Sequence, residues 1–351
     1  MTIKTQTFSM ASATGRWCGV LLLALFILAS AGGAPAQNFF YAANGSSGNL
    51  SVVNTTHNLV VSQPPVGDLP YGVATAAYRA YVTNQNVGTL SVIDTRTHTL
   101  LGTVPVGTRP AGVAVSPDGA YVYVANSGDD ALVVLEAGTL TAVAAVAVGR
   151  QPLGVAVRPD GQRVYVTHYS GASVSVIDSE TLAVVATVAV GGQPLGVAVR
   201  PDGSQVYVTS RMTNQVYVIN PADHTVVGQI GVGQEPLGVA FSPDGSRAYV
   251  TNLGSDTVSV VDTGTRAVVG TVMVGDGPWG VATSPGGERV YVGNWGSGTV
   301  SVIEAATAVV VRTVTVGARP IGVAYAVPVA CGVSEWVPRQ QLGLGSVRLA
   351  L

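Results

Sequence analysis

One motif recurs seven times along this chain at a nearly constant spacing, and this regularity constrains the fold more than any other feature. The motif Val-Gly-x-x-Pro-x-Gly begins at residues 66, 106, 148, 190, 232, 274 and 316. A second motif, Tyr-Val-Thr-Asn with small variations, begins at residues 41, 81, 123, 165, 207, 249 and 291. Because both motifs advance by 40 residues once and then by 42, the chain is predicted to be an array of one supersecondary unit.

Each repeat contains four strand-like segments separated by turns. In the third repeat these segments are 112–115, 121–125, 131–135 and 140–148. The turn Ser116-Pro-Asp-Gly119 separates the first two, since Pro presets φ and Gly tolerates a positive φ. β-Branched and aromatic residues dominate the segments, as expected of strands. Four short strands in a period of 42 residues are typical of a propeller blade, so we predict an all-β, seven-bladed β-propeller with four-stranded blades.

The first strand of each repeat is expected to lie innermost, where neighbouring blades approach most closely. Small residues should therefore occupy it. A glycine followed by Val-Ala recurs there in all seven copies: Gly72, Gly112, Gly154, Gly196, Gly238, Gly280 and Gly322.

The array of repeats begins at a second strand and ends at a first strand, and this predicts how the ring closes. Residues 39–41 match a second strand without a first strand before them, while residues 322–326 match a first strand without a second strand after them. Together the two fragments complete one blade. We therefore expect a propeller over residues 37–327 that is closed by its C-terminal strand, which removes an exposed sheet edge.

Residues 1–36 have the order of a secretory signal peptide. Lys4 and Arg16 precede the apolar run Val20–Leu28, and a small-residue stretch follows that ends in Ala34-Pro35-Ala36. An uncleaved membrane anchor is the alternative, but the run is short for a transmembrane helix. We expect cleavage after Ala36, export to the periplasm, the medium or the cell surface, and no membrane span in the mature chain.

Residues 328–351 carry no repeat signature, and their role cannot be assigned from the sequence. They include Cys331, and the only other cysteine is Cys18, within the segment expected to be cleaved. No intramolecular disulfide is therefore expected.

Charge is sparse and scattered. Charged residues make up 10% of the chain, against about 25% in an average soluble domain. The formal net charge is −2, and no basic stripe exists. Strong binding to nucleic acid is therefore not expected. We expect a monomer that binds no cofactor.

The repeat motifs carry a family resemblance. Tyr81-Val-Thr-Asn84, Tyr249-Val-Thr-Asn252 and the recurring Ser-Pro-Asp-Gly resemble the YVTN β-propeller repeat family of exported and surface-layer proteins from bacteria and archaea. The resemblance covers residues 39–327 and implies a seven-bladed propeller. It implies little about function, because a fold does not fix a function.

Recurring polar residues are better explained by turn chemistry than by catalysis. Asp94, Asp178 and Asp262 precede turns that an aspartate can cap. The aspartates of Pro-Asp-Gly (Asp118, Asp160, Asp202 and Asp244) are likewise expected to be turn residues. His57, His98 and His224 are expected to be solvated. Neither a nucleophile–base arrangement nor a metal-ligand spacing is visible, so we predict no catalytic and no metal site.

One end of the ring breaks the repeat pattern. The loops that join the fourth strand to the next first strand, and the second strand to the third, should emerge on the same end. The departures there are Tyr71, Arg109, His168, Tyr169, Arg211, Glu235, Trp279, Trp295 and Arg319. Aromatic and Arg side chains are typical binding anchors.

We predict a non-enzymatic propeller that binds a protein, a glycan or another cell-envelope partner through this end. The alternatives are a lactonase- or lyase-like propeller enzyme and a redox accessory protein.

Overall fold

Antiparallel strands are arranged in blades that follow one another around a ring. The computed structural model describes residues 38–326. Blade 1 contains β1 (Phe39–Asn44), β2 (Asn49–Asn54) and β3 (Leu59–Ser62). Blade 2 contains β4 (Pro70–Ala76), β5 (Arg79–Asn84), β6 (Thr89–Asp94) and β7 (Thr99–Pro105). Blade 3 contains β8 (Pro110–Val115), β9 (Tyr121–Asn126), β10 (Ala131–Glu136) and β11 (Ala142–Ala147).

The remaining blades repeat this order. Blade 4 contains β12 (Pro152–Val157), β13 (Arg163–His168), β14 (Ser173–Asp178) and β15 (Val184–Ala189). Blade 5 contains β16 (Pro194–Val199), β17 (Val206–Ser210), β18 (Gln215–Asn220) and β19 (Thr225–Gly231). Blade 6 contains β20 (Pro236–Phe241), β21 (Arg247–Asn252), β22 (Thr257–Asp262) and β23 (Ala267–Met273), with a 3-10 turn at Leu253–Ser255. Blade 7 contains β24 (Pro278–Thr283), β25 (Arg289–Asn294), β26 (Thr299–Glu304) and β27 (Val309–Thr315), and β28 (Pro320–Ala326) follows.

The ring closes as the phase of the repeats predicted. β28 pairs antiparallel with β1, so the first blade has the order β28-β1-β2-β3. In this pairing Phe40 lies opposite Tyr325 and Ala42 lies opposite Val323. Each of the other six blades is one four-stranded sheet with its strands in chain order. The prediction of a seven-bladed propeller closed by its C-terminal strand is confirmed.

The hydrophobic core lies between neighbouring blades. Tyr123 of blade 3 is buried in one cluster with Val164 and Val166 of blade 4, and the other tyrosines of this motif are also buried. The second and third strands of every blade are buried on both faces, so their sequences are mainly apolar, and the Ser, Thr and Asn residues among them are buried as well. The outer strands alternate between partly buried and exposed residues.

The first-strand glycines are required by close packing at the axis. A Cβ atom on Gly72 would lie 2.5 Å from the Ala111 carbonyl oxygen of the next blade, and one on Gly238 would lie 2.5 Å from the Trp279 carbonyl oxygen. The other five glycines face the next blade in the same way. The prediction of small residues at the axis is confirmed.

A threonine hydroxyl bridges adjacent blades beside several of these glycines. The Thr209 hydroxyl accepts the Gly196 N–H at 2.8 Å and donates to the Leu237 carbonyl of the next blade at 2.6 Å. Thr83, Thr167 and Thr251 make the same bridge. Ala43, Ala125 and Gly293 occupy this position in the other three blades. The Thr of Tyr-Val-Thr-Asn is thus an inter-blade hydrogen-bonding residue.

The predicted signal peptide and the C-terminal tail lie outside the described residues. Within residues 38–326, no helix has the length and apolarity needed to cross a bilayer.

Candidate binding surface

Two sets of loops form one end of the ring, which we call the upper face. They are the loops from each outer strand to the next inner strand and from each second strand to the third. Hydrogen bonds join them within a blade: the Gln85 N–H donates to the Leu69 carbonyl at 2.9 Å, and the Arg211 N–H donates to the Gln193 carbonyl at 3.1 Å. The opposite end, with the remaining turns, is the lower face.

The residue before the inner-strand proline has a positive φ in every blade. These residues are Leu69, Arg109, Gln151, Gln193, Glu235, Gly277 and Arg319, with φ between 51° and 62°. Non-glycine residues in this region cost about 1–2 kcal/mol each, so the surrounding loops must hold the conformation in place. In this conformation the backbone carbonyl of the residue accepts a hydrogen bond from the loop between the second and third strands of the same blade.

Four polar side chains form a chain across blades 4, 5 and 6. Arg211 donates to Glu235 Oε2 through Nη2 at 2.8 Å and through Nε at 3.2 Å. Its Nη1 also donates to the Tyr169 hydroxyl at 3.2 Å, and that hydroxyl donates to Gln193 Oε1 at 2.9 Å. The carboxylate of Glu235 raises the pKa of Arg211. These hydrogen bonds hold both the Arg211 and the Tyr169 side chains in place at the surface.

An aromatic–cation pair occupies the equivalent place between blades 7 and 1. The Arg319 guanidinium carbon lies 4.8 Å from the centre of a Trp295 ring. Tyr169–Gln193, Arg211–Glu235 and Trp295–Arg319 are each separated by 24 residues. One rule therefore describes all three contacts: the first residue after a second strand meets the residue before the proline of the next blade.

Tyr71 and Trp279 meet at the mouth of the central channel. They belong to blades 2 and 7, their ring centroids are 6.1 Å apart, and the rings are nearly perpendicular at 85°. Burial raises the pKa of the Tyr71 hydroxyl, and a hydrogen bond with the Trp279 side chain opposes that rise only in part. Leu153, Leu195 and Leu237 line the same cavity of about 200 Å³. The mouth of the channel is therefore apolar, and two aromatic rings span part of it.

His168 does not lie on this surface. It is fully buried and occupies the place that Asn holds in five other blades. Its ring is hydrogen-bonded to the Ser173 hydroxyl at 3.0 Å and to the Gly149 N–H at 3.2 Å. Burial lowers the pKa of His168 to about 4, so the ring is neutral at physiological pH. The prediction that His168 is an exposed binding residue is therefore wrong, because the side chain at the end of the second strand is buried.

The other candidates lie at or near the surface, and one contact residue was missed. Arg109 and Arg319 are exposed, whereas Tyr71, Tyr169, Arg211, Glu235, Trp279 and Trp295 are partly buried. Gln193, the acceptor of the Tyr169 hydroxyl, was not among the candidates. The separation of 24 residues is the signal that would have found it.

At the lower face the recurring carboxylates cap their own turns, as predicted. Asp94 Oδ1 accepts the Arg96 and Thr97 N–H groups, and Asp178 Oδ1 accepts those of Glu180 and Thr181. A side-chain hydrogen bond from Arg96 lowers the pKa of Asp94 to about 2. The Pro-Asp-Gly aspartates accept backbone N–H groups two residues later.

Of the three lower-turn histidines that were expected to be solvated, His57 is exposed, whereas His98 and His224 are partly buried. His98 is partly buried, with its ring centroid 4.5 Å from that of Phe39, and its Nδ1 is 3.3 Å from the Tyr41 hydroxyl. Burial lowers the pKa of His98. This histidine packs where the chain enters the first blade, so it is a structural residue.

The lower face also contains a larger groove, of about 700 Å³, between blades 6 and 7. Several of its charged residues engage one another or their own turns: Arg289 and Glu304 form an ion pair at 3.0 Å, and Glu288 accepts the Ser284 hydroxyl at 3.2 Å. Across residues 38–326 there is no group of three His, Cys, Asp or Glu side chains placed to hold a metal ion.

Two family models match parts of the chain, and both describe propellers. A YNCE-like β-propeller model matches residues 156–247, and a model described as lactonase, seven-bladed β-propeller, matches residues 73–184. Each covers less than half of the chain. Among curated proteins, none matches this sequence. These findings support a propeller repeat protein.

Solved structures share the architecture at low sequence identity. Hydrazine synthase of Kuenenia stuttgartiensis is 24% identical, with a TM-score of 0.71, and the match covers 76% of this chain and 92% of that one. A functionally unknown protein from Desulfotomaculum acetoxidans is 18% identical, with a TM-score of 0.75 and coverages of 83% and 99%. The dihydro-heme d1 dehydrogenase NirN in complex with DHE is 15% identical, with a TM-score of 0.63 and coverages of 82% and 75%. At these identities the likeness is one of fold.

Proposed function

We propose that this chain is an exported propeller of the YVTN repeat type that binds a cell-envelope protein through its upper face. The observation that carries the proposal is the arrangement of aromatic and Arg side chains there. Tyr71 and Trp279 span the channel mouth, Arg211 is held by Glu235, and Arg319 lies over Trp295.

The composition of this surface favours a protein partner over a glycan. An apolar centre formed by Leu195 and the aromatic pair, above the buried Leu153 and Leu237, is surrounded by Arg, Glu and Tyr side chains. Protein interfaces have this anatomy of an apolar core and a polar rim, and Trp, Tyr and Arg are their usual hot spots. The hydrogen bonds between Arg211, Glu235 and Tyr169 fix these side chains before contact, which reduces the entropy lost on binding.

A capture experiment with matched variants tests the proposal. Immobilised protein is incubated with envelope extract, and the bound protein is identified, purified and titrated. Trp279→Ala with Trp295→Ala should cost more than about 2 kcal/mol of binding free energy if these rings are hot spots, while the melting temperature changes little. Tyr121→Ala serves as the control, since Tyr121 is an aromatic residue 41% exposed near the lower face.

Two results would contradict this function. One is full affinity of the double Trp variant for the purified partner. The other is capture that survives digestion of the extract by proteinase and depends on glycan, which would assign the surface to carbohydrate instead.

Export is tested separately by intact mass. The run Val20–Leu28 followed by Ala34-Pro35-Ala36 supports cleavage by a signal peptidase. The exported protein should begin at Gln37 or its cyclised form, and retention of residues 1–36 would contradict export as a cleaved protein.

A second candidate function is lactone hydrolysis, favoured by the lactonase family match over residues 73–184. It is tested by incubating the purified protein with a panel of lactones, with and without added divalent cations. Turnover that saturates with substrate and copurifies with the protein would replace the non-enzymatic function proposed above.

A further inference from the structure

Two neighbouring blades of the lower face each extend an arginine to the blade that follows. Arg158 of blade 4 and Arg200 of blade 5 directly follow the first strands of their blades. Each donates through Nε to a glycine carbonyl of the next blade: Arg158 to Gly203 at 3.3 Å, and Arg200 to Gly245 at 3.0 Å. Each also forms an ion pair with the Pro-Asp-Gly aspartate of its own turn, at 2.8 Å and 3.0 Å. A guanidinium thus bridges a carboxylate and a carbonyl between these blades.

The groove between blades 6 and 7 keeps both acceptors but lacks the arginine. Ser242 occupies the corresponding position of blade 6. Asp244 provides the carboxylate, and side-chain hydrogen bonds from Ser242 and Ser246 lower its pKa to about 2, so it is ionised at neutral pH. The Gly287 carbonyl corresponds to the carbonyls that accept the two arginines, and no hydrogen bond from residues 38–326 reaches it.

The other partner of this carbonyl is also missing here. Between blades 3 and 4, where Ser116 likewise replaces the arginine, the Ser179 hydroxyl donates to the Gly161 carbonyl at 2.5 Å. Blade 7 has Ala305 at the position of Ser179. Blade 3 also lacks both partners, but the turn of the blade before it, at residues 77–78, contains no aspartate. The Gly287 carbonyl therefore lacks both kinds of partner that its counterparts in blades 4, 5 and 6 have.

Charge also favours a cation in this groove of about 700 Å³. Three acidic residues line it against two basic ones, an excess of one negative charge: Asp244, Glu288 and Glu304 against Arg247 and Arg289. Arg289 and Glu304 pair with each other. The two remaining carboxylates accept hydrogen bonds from serine hydroxyls, which leave their negative charge in place.

We propose that the groove between blades 6 and 7 is a binding site for an arginine side chain. Its guanidinium takes the place that Arg158 and Arg200 fill in the preceding blades, and it bonds to the Asp244 carboxylate and the Gly287 carbonyl. The planar fork of a guanidinium matches a carboxylate, and charged hydrogen bonds of this kind are among the stronger ones in proteins. The site lies on the lower face, so it does not depend on the function proposed for the upper face.

Titration with N-acetyl-arginine amide, followed by NMR chemical shifts, tests the site and identifies the source of the arginine. The probe is added to the full chain and to its variant Arg339→Gln with Arg348→Gln, since these two arginines follow the described residues in the sequence. Binding by both proteins, with a dissociation constant on the order of 1 mM, assigns the site to a separate arginine-bearing ligand. Binding by the variant alone assigns it to the chain's own arginines. Binding by neither protein, or by the wild type alone, overturns the proposal.

Filling the groove from within the chain provides a matched pair of variants. In the protein that binds the probe, Ser242→Arg supplies the residue that blades 4 and 5 have, and it should abolish binding. Ser116→Arg makes the same change in the equivalent turn of blade 3, away from the groove, and should leave binding unchanged. The two serines are similarly buried, at 8% and 7% exposure, so the two changes place similar demands on folding. Equal binding by the two variants, both folded by circular dichroism, would overturn the proposal.

The role of the carboxylate is tested without removing the turn cap. Asp244→Asn keeps an oxygen for the Ser246 N–H, which Asp244 Oδ1 accepts at 3.0 Å, but it removes the charge and should weaken probe binding about tenfold. Asp118→Asn in blade 3 is the control and should have no effect. The citrulline analogue of the probe, which has nearly the same shape but no charge, should likewise bind about tenfold more weakly than the arginine probe. Unchanged affinity in either comparison would contradict recognition of a guanidinium.

Discussion

The recurring carboxylates of the lower face and the variable side chains of the upper face form hydrogen bonds with different partners. At the lower face, Asp94 and Asp178 bond to N–H groups of their own turns. At the upper face, Arg211 bonds to Glu235 of the next blade, and Arg319 covers Trp295 of the preceding one. A lower-face cap is dictated by its own turn and therefore recurs. An upper-face contact needs only a compatible neighbour, which leaves these positions open to variation and available for recognition.

Opening the ring is expected to lower the stability of the protein most. Contacts between blades depend on closure of the ring, whereas turn caps within a blade do not. Deletion from Ile321 onward removes most of β28, which pairs with β1, and leaves an unpaired edge beside exposed apolar side chains. We expect aggregation or a large fall in melting temperature. Deletion of residues 332–351 alone should be tolerated, and equal behaviour of the two truncations in thermal melts would contradict the closure.

The next largest effect is a loss of folding stability in acid, caused by His168 at the upper end of blade 4. His168 has a folded pKa of about 4 against about 6.5 when unfolded. The unfolded chain therefore binds the proton first, and folding stability falls as the pH is lowered from about 6.5 toward 4, by roughly 3 kcal/mol.

His168→Asn should remove this loss. The asparagine would match Asn84 and Asn252, which donate to hydroxyls five and seven residues later. Urea unfolding at pH 7 and pH 4 measures the difference between variant and wild type. An unchanged acid sensitivity of the variant would exclude His168 as its source.

A smaller effect is expected from one inter-blade bridge. Thr209→Val leaves the Gly196 N–H and the Leu237 carbonyl without their hydroxyl partner, which should cost about 2 kcal/mol of unfolding free energy. Thr187→Val on the exposed part of β15 is the matched control and should cost little. If the two variants unfold at the same urea concentration, the bridge does not stabilise the ring.

The smallest effect is expected at the lower face. Asp94→Asn keeps a capping oxygen but removes the charge that pairs with Arg96. Since the Arg96 side chain is 60% exposed, solvent screens the pair, and the loss at neutral pH should be about 1 kcal/mol. The pKa of Asp94 is lowered to about 2, so this contribution is present above pH 4 and is lost as the pH falls toward 2. The melting temperatures of variant and wild type should therefore converge in acid.

The same contrast explains how much the sequence could predict. Strand order, closure, axial glycines and the lower-face caps follow from local patterns and from the phase of one repeat. The contact of Arg211 with Glu235 joins two blades and depends on a positive φ at Glu235, which no motif within a single repeat specifies. His168 was assigned to the surface because it breaks a motif, although the Asn that it replaces is buried in the other blades.

Hydrogen exchange on the complex with the captured partner is the most direct test of whether the upper face is the binding surface. We expect slower exchange in the upper loops, around residues 66–72, 169–172, 211–214 and 295–298, and unchanged exchange in the lower turns that contain Asp94, Asp178 and Asp262. Protection confined to the lower turns, with the upper loops unaffected, would contradict this expectation.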